Sequence, residues 1–164
     1  DYVAERARIV QDFLEVPFAL ENLSSYVAYQ DDAMPEWDFY SAIVEKADIH
    51  MMLDVNNIYV SSRNQNFNPM DYCNNIPLER VLQIHLAGHT DKGAYLLDTH
   101  DNYVCDEVWK LYAYVYPRTK GVSTLLEWDD NFLSFEETWK EALKAKEFQK
   151  DIHTNAQNTA LATA

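Results

Sequence analysis

Apolar positions along the chain alternate between helical spacing and short continuous runs. In "DYVAERARIVQDFL" the apolar residues fall at 3, 7, 9, 10, 13 and 14, close to helical periodicity. "VPFALEN" follows as a short apolar run that Pro17 keeps from being helical. "MPEWDFYSAIVEKA" puts Trp37, Tyr40, Ile43, Val44 and Ala47 on one helical face, with Pro35 at its start. "HMMLDVNN" is a second short run, ending in polar residues. "NPMDYCNNI" and "PLERV" read as a short helix and a turn, punctuated by Pro69 and Pro77. "RVLQIHLAGH" is the third run, and "AYLLDTH" reads as either a strand or an extended loop. "CDEVWKLYAYVYPR" is a helix with Val108, Leu111, Tyr112 and Val115 inward. "STLLEWD" is the last strand, and "SFEETWKEALKAKEFQK" a closing helix with Ser134 and Glu137 as a capping box. After Lys150, "DIHTNAQNTALATA" is polar and rich in small residues, the composition of a frayed or disordered end.

Strands that are apolar throughout and separated by helices predict an α/β fold whose parallel sheet is covered on both faces. The main strands end at Glu21, Asp54, His85 and Glu127. Their separations of roughly 30 to 40 residues suit βα units. Such units make up about half of a (β/α)8 TIM barrel, whose usual length is about 250 residues. Residues 1–150 are therefore expected to form half a barrel, and 151–164 a tail.

Composition narrows the function. The 164 residues are the size of one domain, and 48% hydrophobic content fills a core. No apolar run approaches the roughly 18 residues a membrane span requires. No basic segment followed by an apolar stretch marks a secretory signal. Twenty-seven acidic residues against 13 basic give a net charge of −14, which repels phosphate backbones and argues against nucleic acid. Cys73 and Cys105 are too few for a disulfide framework, so a reducing, cytoplasmic setting is expected.

Each main strand ends in a side chain able to ligate a metal, and active sites of parallel α/β folds sit at the carboxyl ends of strands. Period-2 alternation places Asp54 with Asn56, Asp98 with His100, and Glu127 with Asp129 on shared faces. Each residue also has an ordinary structural explanation. Glu21 suits a salt bridge, Asp54 a cap for the turn at Asn56 and Asn57, and His85 a hydrogen-bonded core position. His89 suits plain loop, and Asp98-Thr99-His100 suits an Asx-turn with a solvent-facing imidazole. His50 and His153 are assigned no site. What favours a metal is that every strand end carries a ligand type at once. Imidazole and carboxylate without thiolate suit iron, zinc or manganese. Tyr26 and Tyr59 lie just past the first two strands and are the aromatic residues expected near the site. Cys105 is expected to be a buried spectator.

The strings "ENLSSYV", "MMLDVNNIYV", "NPMDY", "LERVLQIHLAGH", "LLDTHDNYVCDEVW" and "TLLEWDDN", in that order, resemble the multinuclear non-haem iron-dependent oxidative enzymes, the family that includes the oxidase of methanobactin biosynthesis. The resemblance runs from Val3 to Leu143. It implies a xylose-isomerase-like (β/α)8 barrel, of which this chain is the C-terminal half, holding two or three irons at the strand ends. It further implies that dioxygen is used to remodel cysteine or other residues of a ribosomally made peptide, with a partner protein that recruits the peptide. By motif, Glu21, Asp54, His85, Asp98, His100 and Glu127 resemble the metal ligands, and Asn56 a ligand or an orienting residue. His89 resembles an orienting or substrate-binding group, and His89 and Asp129 are the candidates for moving protons. Asn22, Ser24 and Asp129 are candidates for fixing the ligands. The residues alone leave two other readings open. One is a divalent-metal hydrolase or isomerase using zinc or manganese, with Glu21 or Glu127 as ligand or base. The other is a metal-holding scaffold whose partner does the chemistry.

Overall fold

Four apolar runs pair side by side into one parallel sheet. These are β1 (Ala19–Glu21), β2 (His50–Asp54), β3 (Val81–Leu86) and β6 (Ser123–Leu126), in the order β1-β2-β3-β6. Helix α1 (Tyr2–Leu14) precedes β1, α2 (Glu36–Ala47), α3 (Val55–Gln65), α4 (Pro69–Asn75) and α5 (Asp106–Val115) run between the strands, and α6 (Phe135–Leu143) follows the last one. The short strands β4 (Thr90–Asp91) and β5 (Leu96–Leu97) form a separate antiparallel pair. The computed structural model describes residues 1–29 and 31–149. The expected tail at 151–164, with His153, lies outside them.

Register decides which side chains share a face, because partners in a parallel ladder point the same way. Glu21 pairs with Met52, Met52 with Gln83, Asp54 with His85, and His85 with Leu125. Leu53, Ile84 and Thr124 are paired in turn and occupy the opposite face. That second face is the core: Leu53 and Ile84 are fully buried in one cluster with Val44, Ile58, Val108 and Tyr112. Tyr112 of α5 also hydrogen-bonds Thr124 at 2.8 Å. The first face is open, with Leu125 43% exposed and Gln83 half-buried. The sheet expected to be covered on both faces is thus covered on one among the described residues. Runs such as "HMMLD" and "VLQIHL" looked continuous, yet His50, Asp54, Gln83 and His85 sit at alternate positions on the open side.

Local chemistry sets the boundaries. The capping box at α6 forms as expected, with Ser134 and Glu137 each bonding the other's backbone. Helix α3 was not foreseen, since "VNN" reads as a turn. Asp54 caps it instead, accepting from the Asn57 N–H at 2.7 Å, and Asn66 ends it with φ of 56°. "AYLLDTH" is mostly loop, and only Leu96 and Leu97 enter a ladder. No helix among the described residues is long and apolar enough to cross a membrane.

Leu53→Ala in central β2 is expected to cost about 2–5 kcal/mol, the usual range for emptying a sealed core position. Leu125→Ala on the open face should cost under about 1 kcal/mol. Equilibrium urea unfolding of the two variants checks the assignment of faces.

Candidate metal centre

The strand ends bring together side chains that lie far apart in sequence. One ligand atom from each of Glu21, Asp54, His85 and Glu127 falls within 4.8 Å of the others, and His100, Glu127 and Asp129 form a second such group. Glu127 belongs to both. His85 Nδ1 stands 3.1 Å from Glu21 Oε1 and 3.2 Å from Glu127 Oε2. His100 Nδ1 stands 3.3 Å from the same Glu127 oxygen and 3.5 Å from Asp129 Oδ2. Asp98 Oδ1 lies 2.7 Å from His100 Nε2.

Backbone anchoring explains why these groups are held so close. Glu21 and Asp54 are the last residues of β1 and β2, and His85 is the penultimate residue of β3. Asn22 clasps the Asp54 backbone, accepting its N–H at 2.9 Å and donating to its C=O at 2.8 Å. Asp54 spends Oδ1 on capping α3 and keeps Oδ2 buried with no hydrogen-bond partner. Glu127 follows β6 and donates its N–H to Leu86 O at 2.8 Å. Gln83, which the sequence reading passed over, fixes His85. Its amide N–H donates to Ser123 Oγ at 3.1 Å, so Oε1 accepts from His85 Nε2 at 3.0 Å. His85 Nε2 thus donates to Gln83, and Nδ1 is the nitrogen that faces the carboxylates, where it holds a proton in the absence of a cation and can bind a cation in its place. Its signal was legible: a glutamine two residues before a strand-end histidine shares that histidine's face.

The segment carrying Asp98 and His100 is packed against the β3 exit. A side-chain carbon at Gly88 would lie 2.0 Å from the Asn102 carbonyl oxygen, so glycine is required for this approach. Asp101 ties the segment down, accepting from Thr90, Thr99, Asn102 and Asn131. Tyr26, expected near the site, accepts the Asp98 N–H at 3.0 Å. His100 adopts a left-handed φ of 47°, and its C=O accepts from the Asp129 N–H at 2.7 Å. This strain turns the imidazole inward, where it is 8% exposed, rather than to the solvent that an Asx-turn would give it.

Burial and like charge govern protonation here. Burial pushes the Asp54 carboxyl up to about 7, opposed by its bond from Asn57 and the charge of His100. Burial also disfavours charge on His100, but the adjacent Asp98, with Asp54 and Glu127, raises it to about 9. His85 is raised likewise: Glu21, Glu127 and Asp54 outweigh its burial. For His89 burial dominates and lowers the pKa. The chain thus gathers protons where it has packed acids together, which is the electrostatics of a site built for cations. The donor set fits a metal: Glu21 Oε1, Asp54 Oδ2 and both His100 nitrogens are buried without an aligned hydrogen bond.

The remaining expected residues take their places around this cluster. Asn56 is not a strand residue sharing a face with Asp54. It lies in the first turn of α3, and both its amide atoms are used, one on Asp98 and one on His89. Tyr59 packs on His89 with ring centroids 5.3 Å apart. Ser24 lies 3.2 Å from the Tyr26 hydroxyl, the group that accepts the Asp98 N–H. Cys105 is a half-buried free thiol at the start of α5, and Cys73 is buried, its thiol pushed up to about 12 by burial.

The family model for the RiPP precursor modification enzyme MbnB/TglH/ChrH, where RiPP denotes a ribosomally made and then modified peptide, matches residues 1–150. The chain belongs to this family. A UPF0276 protein of Anaeromyxobacter sp. (strain Fw109-5) is 44% identical over 160 residues, covering 98% of this chain and 56% of the relative. A UPF0276 protein of Acaryochloris marina is 41% identical over 144 residues, covering 88% and 52%. One from Caulobacter vibrioides is 44% identical over 129 residues, covering 79% and 46%. The chain spans about half the length of the curated relatives it matches. The motifs that carried the resemblance therefore led to the right family.

Two outcomes follow from this geometry. Asp54 and His100 both hold protons more tightly folded than unfolded, so the metal-free protein binds more protons folded than unfolded. Its stability should fall as pH rises from about 4 through about 9. Added divalent metal displaces those protons and should stabilise more at the alkaline end, which melting curves across pH with and without metal will show. Gly88→Ala should force the 98–103 segment away and cost about 1–3 kcal/mol by urea unfolding.

Proposed function

We propose that the full-length protein is an iron-dependent oxidative enzyme that uses dioxygen to modify cysteine or another residue of a ribosomally made peptide. The observation that carries this reading is Glu127, whose carboxylate takes part in both donor groups. A carboxylate between two imidazole-containing groups suits a centre of two or three irons rather than a single ion, and bound iron supplies the dioxygen chemistry. On this reading Glu21, Asp54 and His85 hold one cation, Asp98 and His100 hold another, and Glu127 serves both. Gln83 keeps the Nδ1 of His85 free for its ion. Asn56 orients Asp98. Asp129, whose side chain is 61% exposed, carries protons at Oδ2 between solvent and the centre. His89 stands at the edge of the centre and handles the substrate or its proton.

The open face of the sheet supports the (β/α)8 architecture for the whole protein. Leu125, Gln83 and the donor groups face the side that a closed barrel would enclose, and β1 and β6 each have one unpaired edge in the sheet order. The rest of the protein would pair those edges and supply further ligands. A separate partner protein recruiting the peptide belongs to the same proposal.

A precursor peptide in which serine replaces the modified cysteine should remain unmodified, and the unaltered peptide should be modified only when oxygen is supplied. Mass spectrometry of the peptide after aerobic and anaerobic incubation tests this. Modification without oxygen by zinc- or manganese-loaded protein would favour the hydrolase reading instead.

A further inference from the structure

We propose that Glu141 of α6 is a positioning residue, which accepts the Val104 N–H and thereby holds the 98–104 segment where Asp98 and His100 reach the second cation. This rests on the reading above, in which those two side chains are ligands.

Glu141 is the only buried glutamate among the described residues, with 1% of its surface exposed. Burying a carboxylate is costly unless its oxygens are bonded. Here Oε1 accepts the Val104 N–H at 3.2 Å, and Oε2 pairs with Lys144 Nζ at 2.6 Å. A pair with the lysine three residues on would form as well on an exposed helix face, so burial serves the other bond. Val104 is itself 5% exposed and lies in no strand or helix. Its N–H bonds no other group among the described residues. A buried backbone N–H needs a partner, and α6 supplies it from 37 residues away.

The segment depends on such an anchor because no ladder holds it. Glu21, Asp54 and His85 lie within strands and Glu127 directly follows β6, whereas Asp98 and His100 come from the irregular stretch between β5 and α5. Gly88 of the β3 exit leaves room for the Asn102 and Tyr103 carbonyls, and α6 grips the next residue. Lys144 Nζ also stands 5.8 Å from the centre of the Tyr103 ring, which meets Trp128 edge-on at 5.5 Å. Within this hold His100 keeps its left-handed φ of 47°, a conformation that its surroundings must enforce. Release of Val104 lets the backbone relax and the imidazole turn away. The closing helix thus reaches the second donor group without contributing a ligand to it.

The test is the number of ions per chain in the full-length protein loaded with ferrous iron without oxygen, read by plasma mass spectrometry. Two variants separate reach from charge. Glu141→Asp keeps the charge beside Lys144 but withdraws the acceptor from Val104, and should hold one ion fewer than the wild type. Glu141→Gln keeps an oxygen at the right reach, while the half-exposed Lys144 turns to water, and should hold the wild-type number. His100→Ala gives the reference count for loss of the second cation, and adding Glu141→Asp to it should remove no further ion. A wild-type count in Glu141→Asp, or a Glu141→Gln protein depleted like it, would overturn the proposal. Loss of every ion from Glu141→Asp would do the same, since it marks a general structural role. Should the variants not fold, hydrogen exchange at the Val104 amide of the metal-free wild type decides: protection is expected, and exchange as fast as in an unstructured chain overturns the anchor. A wild type that takes up no iron contradicts the reading beneath, whereas a loaded wild type matched by Glu141→Asp contradicts the role of Glu141 alone.

Discussion

Like charge packed at the ends of parallel strands is the constraint around which this structure is arranged. Glu21, Asp54 and Glu127 crowd His85, while Asp98, Asp129 and again Glu127 crowd His100. Carboxylates this close, some wholly out of water, need positive charge among them. Without a metal that charge comes from protons: burial above all pushes the Asp54 carboxyl up to about 7, and the Asp98, Asp54 and Glu127 carboxylates raise His100 to about 9 against its burial. Everything that anchors the cluster works against its own repulsion. Asn22 clamps the Asp54 backbone, the α3 cap uses one Asp54 oxygen, and Asp101 gathers donors from several segments to hold the loop in place. The fold stores a cation-seeking arrangement in its backbone rather than in flexible side chains.

The sheet serves that arrangement. Its helix-covered face supplies the core, with Leu53, Ile84 and Leu86 fully buried. Its other face carries the chemistry and stays open among the described residues. One residue step along β2 separates a sealed leucine from the Asp54 donor, so pleat and register alone sort core from site. Family membership and a span of about half the relatives' length agree with a chain that carries part of a larger centre.

Much of this was legible from residues. The four strand ends, Pro35 at the start of α2 and the capping box at Ser134 and Glu137 follow from short-range rules, and the gathering of Glu21, Asp54, His85 and Glu127 follows from placing strand ends side by side in a parallel sheet. The misses have physical causes. Asn56 and Asn57 favour turns when considered singly, but Asp54 ahead of them is a helix cap, and the helix wins. The open face was hidden because histidine, glutamine and aspartate alternate with methionine and leucine in runs too short to display a period. The place of Gln83 on the His85 face was legible, but that it orients the His85 ring shows only when Ser123 is brought across from β6.

The most direct test of the account is the metal content of the full-length protein, purified without oxygen and measured by plasma mass spectrometry. The proposed function predicts two or three irons per full-length chain, with the Glu127 carboxylate taking part in two donor groups. Zinc or manganese near one per chain would contradict the oxidative reading, and a protein free of metal would contradict the centre itself.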